Sequence, residues 1–135
     1  AFDIFLQARR LMLAGRYDEA IAAADKAVEL DENAASVAME LKSRAFIRLG
    51  QFDQAERIAR MNAQYVARID GPDSSEALTS KASHADTLRL VGRFDESRDM
   101  AENILRTQTQ MMGRDHPDTR STAKLLARLP PKHTL

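Results

Sequence analysis

The chain contains no cysteine and no tryptophan. The first absence removes disulfides, thiolate metal ligands and a thiol nucleophile from consideration. Five glycines and four prolines are all that occur. The glycines are too dispersed to form a phosphate-cradling loop, and G-x-S-x-G is missing. Charge of one sign is missing too. Twenty Lys and Arg balance twenty Asp and Glu, so no overall field draws the chain to nucleic acid or to an anionic membrane surface. No apolar run approaches the roughly 18 residues that a helical membrane span needs. Aromatic residues make up 5% of the chain and do not alternate with basic ones in the stacking pattern of single-strand binders. The three histidines, His84, His116 and His133, show no metal-ligand spacing with each other or with nearby carboxylates. No metal, no cofactor and no enzymatic activity is therefore expected.

What is present folds. With 44% hydrophobic and 30% charged residues over 135 positions, one domain with a real core is expected. The glycines and prolines fall as punctuation between stretches of roughly a dozen to eighteen residues free of both, the grammar of a helical protein. Aligning the glycines exposes a repeat: Gly15-Arg16-Tyr17-Asp18-Glu19-Ala20, Gly50-Gln51-Phe52-Asp53-Gln54-Ala55 and Gly92-Arg93-Phe94-Asp95-Glu96-Ser97. The offsets are 35 and 42. A second pair, Gly71-Pro72-Asp73 and Gly113-Arg114-Asp115, is also 42 apart, so each long repeat carries two turns at fixed places.

Each G-x-[YF]-[DE] unit reads as a corner between two helices. Glycine supplies the conformation past a helix end, and Asp18, Asp53 and Asp95 complement the dipole of the next helix. The aromatic residue is expected to wedge between the two. The pattern predicts helices over Phe2–Ala14, Asp18–Leu30, Met39–Leu49, Asp53–Ile69, Glu76–Val91, Asp95–Met112 and Asp118–Leu129. Pro117 marks the start of the last and Pro130-Pro131 its stop. Small residues recur at the close-packing sites of the second helices: Ala20, Ala24 and Ala27, then Ala55 and Ala59, then Ala101. Ser97 stands in the place of Ala20, and Asn62 and Ile104 in that of Ala27; a buried Asn62 is expected to find a hydrogen-bond partner or water.

These two-helix units resemble tetratricopeptide repeats. Leu11 through Asp31 looks like an ordinary 34-residue repeat with Glu32 where that family usually has proline. The later repeats, with their 42-residue period and the linker Gly113-Arg114-Asp115-His116-Pro117-Asp118, resemble the kinesin-light-chain type, from whose linker Gly71-Pro72-Asp73-Ser74-Ser75 departs. The resemblance implies an all-α, right-handed superhelical solenoid: repeats at about 1–34, 36–72 and 76–114, a capping helix at 117–129, and a tail at 130–135. It further implies a protein–protein interaction module whose first helices line a concave groove, with a cytoplasmic location as the default for this repeat class. The family positions that clamp a chaperone tail's carboxylate are Phe5, Arg9, Thr79 and Ser83 here, and the paired asparagines of kinesin light chains are Leu41-Lys42, Ser83-His84 and Lys124-Leu125. Neither ligand specificity carries over.

Placed on the family pattern, the groove would receive Phe2, Phe5, Leu6, Arg9, Met12 and Leu13, then Val37, Glu40, Leu41, Arg44, Ile47 and Arg48. Thr79, Ala82, Ser83, Asp86, Arg89 and Leu90 would follow, and finally Ser121, Lys124, Leu125 and Arg128. Six basic residues would face two acidic ones in an otherwise neutral chain. The natural complement is an extended, acidic peptide or partner helix with apolar anchors, held by Phe5, Arg9, Met12, Arg44, Arg48, Arg89, Lys124 and Arg128. A basic stripe is also often only a solvated face. The first helix, with Phe2, Ile4, Phe5, Leu6, Leu11, Met12 and Leu13, is apolar nearly all round and calls for a cover. A preceding repeat, a second copy of the chain or the ligand would serve, which makes self-association or an intramolecular domain contact the alternative function. The start at Ala1 without methionine fits a domain excised from a longer protein.

Overall fold

A computed structural model describes residues 2–132; the side chain of Phe2 and His133 in the tail lie outside what it describes. The fold is all-α. Among the described residues there are seven α-helices: α1 Phe2–Leu13, α2 Tyr17–Leu30, α3 Ala35–Arg48, α4 Phe52–Asp70, α5 Ser75–Leu90, α6 Phe94–Met112 and α7 Pro117–Arg128. Six begin and end within a residue or two of their expected bounds. The exception is α3, which starts four residues before Met39, behind a 3-10 turn at Glu32–Ala34. The Asp31 carboxylate accepts from the Asn33 amide at 3.0 Å, and this local cap starts the turn where the usual repeat has proline.

Two compact units divide the chain, residues 1–65 and 66–135, with the boundary inside α4. In the first, α1 packs on α2 and α2 on α3; in the second, α5 packs on α6 and α6 on α7. Of the twenty buried hydrophobic residues described, thirteen are alanines, so the helices meet nearly backbone to backbone, with few large side chains between them. Ala8, Ala20, Ala24, Ala38 and Leu41 form the first core, with Phe5, Leu11 and Met12 packed against it. Ala85, Ala101 and Leu125 form the second, covered by Met100 and Leu126. Leu125 therefore lies in a core and not on the groove expected of it.

Where two helices cross this closely, one polar pair recurs in exchanged form. In the first unit the Ser43 hydroxyl of α3 donates to the Ala55 carbonyl of α4 at 2.9 Å. In the second, the Ser97 hydroxyl of α6 donates to the Ala85 carbonyl of α5 at 2.6 Å. Residues 43 and 85, and 55 and 97, are equivalent at the 42-residue period, so serine and alanine have traded helices. The equivalent pair at the first corner is Ala8 and Ala20, both fully buried. All three crossings thus hold only a methyl or a hydroxyl, as close-packed helices favour.

The corner glycines end their helices in the left-handed region. At Gly15, with φ 76°, the Arg16 amide reaches the Leu11 carbonyl at 2.9 Å and the Gly15 amide that of Met12 at 3.1 Å, the paired bonds of a Schellman end. The same pairs recur at Gly50 and Gly92. The other two turns share a different design despite their dissimilar sequences. The Ser74 amide returns to the Gly71 carbonyl at 3.3 Å and the His116 amide to that of Gly113 at 3.5 Å. Ser74 Oγ then caps α5 by accepting from the Ala77 amide, while His116 Nδ1 caps α7 by accepting from the Asp118 amide.

One packing expectation is corrected. The corner aromatics do not wedge between helices: Phe52 is 46% and Phe94 40% exposed, and Tyr17 is half-buried. Alanine-lined helices approach too closely to admit a ring. Asn62 is buried as expected, and its Oδ1 has no hydrogen-bond partner among the described protein groups.

Candidate partner-binding groove

The face of α1 and α3 carries a groove of about 570 Å³. Phe5, Arg9, Met12 and Leu13 enter it from α1, and Val37, Glu40, Leu41 and Arg44 from α3. The i, i+4 and i+3 steps along α1 and the i, i+3 and i+4 steps along α3 put each set on one helix face. Phe5 and Met12 rest on the alanine core, which fixes the floor, whereas Leu13 is 90% and Val37 54% exposed. Apolar surface left open to this degree is costly in water. Arg9 is exposed and makes no ion pair among the described residues, and Arg44 reaches Glu40 only at 3.6 Å with a side chain 73% exposed. Such a pair holds its arginine weakly. The groove thus offers an apolar floor and two guanidinium groups available to an oxyanion.

Four of the eight expected contact residues, Phe5, Arg9, Met12 and Arg44, meet in this groove. Arg48, one turn beyond Arg44 on α3, is exposed but does not line it. The remaining three belong to the second unit. Arg89 of α5 is tied to Asp86, its Nε donating at 2.9 Å, so its charge is already matched. Arg128 stands exposed at the end of α7. Lys124 lines a depression between α6 and α7 together with Arg114 and Arg120. Those two arginines were not singled out in the sequence, although Arg120 and Lys124 stand four apart on one helix.

Other charged groups are occupied structurally. Arg16 and Arg93 each fork onto a glutamate three residues on, Glu19 and Glu96. The hydrogen bond from Arg93 holds the Glu96 carboxyl below its ordinary range, against slight desolvation, with the Arg93 and His84 charges assisting. His84 is buried in α5. No cluster of three His, Cys, Asp or Glu among the described residues could hold a metal ion, and no described helix is long and apolar enough to cross a membrane.

Paired helices of 12 to 19 residues, closed by repeated glycine corners over an alanine core, define a helical-repeat protein. Two tetratricopeptide repeat family models match the chain, one over residues 11–64 and the other over residues 78–118, and the chain is a tetratricopeptide-repeat domain. No curated protein sequence matches it. Tetratricopeptide repeats generally mediate protein–protein interactions and are typically non-catalytic.

Proposed function

We propose that the α1–α3 groove binds an extended segment or helix of a partner protein that carries acidic residues beside an apolar anchor. The observation that carries this reading is the open apolar floor of Phe5, Met12, Leu13 and Val37, flanked by the exposed Arg9 and Arg44. The anchor would cover Leu13 and Val37, and its neighbouring carboxylates would pair with the two arginines. The 42-residue spacing and the Gly113–Asp118 linker support grouping the later repeats with the kinesin-light-chain type, without that family's cargo. Binding is tested by fluorescence anisotropy with labelled peptides in which Glu and Asp flank Leu or Phe. Affinity that falls with salt and is lost in Arg44→Glu supports the reading. Equal binding by lysine-flanked peptides refutes it.

A second reading has its own observation. Leu13 at 90% and Leu6 at 40% exposed leave α1 with apolar surface suited to a second copy or to an intramolecular domain contact. Sedimentation of the chain over a range of concentrations separates the two. A concentration-dependent dimer, insensitive to salt and abolished by Leu13→Asp, would favour self-association; a monomer throughout excludes it.

A further inference from the structure

The depression between α6 and α7 measures about 510 Å³ and is independent of the α1–α3 groove. Three cations line it: Arg114 from the linker, and Arg120 and Lys124 from successive turns of α7. No carboxylate shares the lining. Asp118, in the first turn of α7, turns instead toward His116, with Oδ2 3.9 Å from Nδ1. Among the described residues none of the three cations is ion-paired, in contrast to Arg16, Arg89 and Arg93. Thr119 also lines the depression; it is 2% exposed, and its hydroxyl has no hydrogen-bond partner. The first turn of α7 adds the positive end of its dipole.

We propose that this depression is a binding site for a dianionic phosphoryl group. Three unpaired cations exceed what one carboxylate can match, and two guanidinium forks suit the oxygen pairs of a phosphoryl group. Leu105 and Ala123 give apolar wall beside the cations, which a carbon-borne phosphate would cover and a free phosphate would not. The two sources share the phosphoryl chemistry, so the experiment carries an arm for each.

The full chain, labelled with nitrogen-15, is titrated at constant ionic strength with inorganic phosphate, phenyl phosphate and benzoate. Saturable shifts of the Thr119 and Arg120 amides are expected, with phosphoryl dissociation constants in about the millimolar range. Arg114→Gln combined with Arg120→Gln should weaken binding about tenfold or more, while Arg128→Gln, outside the depression, should leave it unchanged. Circular dichroism of both proteins establishes that they remain folded. Tighter binding of phenyl phosphate assigns the site to a phosphomonoester on an organic group; equal binding assigns it to free phosphate; both sustain the proposal. Absence of saturation, binding of benzoate as tight as phenyl phosphate, or an unchanged affinity in the folded double variant would overturn it.

Discussion

Replacing Ser97 by alanine tests the exchanged serine–alanine crossing. The hydroxyl is fully buried and donates to the Ala85 carbonyl at 2.6 Å. That carbonyl, in the interior of α5, also accepts the ordinary helical bond, so the substitution strands no buried acceptor. What is lost is the net worth of one hydrogen bond, about 1 kcal/mol. With a urea dependence of about 2 kcal/mol per molar, the midpoint should fall by about 0.5 M. Adding Ala85→Ser places the hydroxyl on the other helix, in the arrangement that Ser43 and Ala55 adopt with a bond of 2.9 Å. The double variant should therefore recover most of the loss, whereas Ala85→Ser alone crowds two hydroxyls into a space that holds one. Urea unfolding followed by circular dichroism measures all three. A double variant no more stable than Ser97→Ala would show that the two crossings are not equivalent and would refute the reasoning.

Three further outcomes follow from local geometry. Gly50→Ala should cost about 1 kcal/mol, because φ is 76° while open space surrounds the position; Gly50→Asn should cost less, and equal stabilities in urea would contradict the left-handed corner. Thr119→Val removes a buried hydroxyl without a partner and should leave stability unchanged or raise it by up to about 1 kcal/mol, whereas a clear loss of thermal stability would mean that the hydroxyl is engaged. Arg93→Gln should return the Glu96 carboxyl toward its ordinary range, read by a carbon-13 titration, since the Arg93 hydrogen bond is the main cause of its depression. In the native protein this pair stabilises above the ordinary carboxylate range and is lost as pH falls through the depressed value; a Glu96 titration unmoved by the substitution would contradict that assignment.

Helix positions and corners were legible because they are set within a few residues. Gly15, Gly50 and Gly92 stop their helices through bonds that span one turn, and Pro117 opens α7 at its first position. The start of α3 was missed because a side-chain cap at Asp31 replaces the expected proline signal. Within the groove, the shared face of Phe5, Arg9 and Met12 followed from helical spacing, and their meeting with Arg44 from the repeat. Arg114 and Arg120, which join the expected Lys124, gave no such signal, because the depression they line also needs Leu105 from α6, fifteen residues from Arg120.

The sequence by itself determined the all-α repeat, its helices and its turns, since glycine conformation, capping and hydrophobic spacing act over one or two turns of chain. Tertiary structure decided the rest. The alanine core draws α5 to α6 so closely that Phe94 is left outside, and the serine of each crossing serves from whichever helix carries it. It also decided which cations stay open, because Arg89 and Arg93 find carboxylates one turn away while Arg9, Arg120 and Lys124 find none among the described residues. Charge count is a property of composition; charge availability depends on which side chains packing brings within reach.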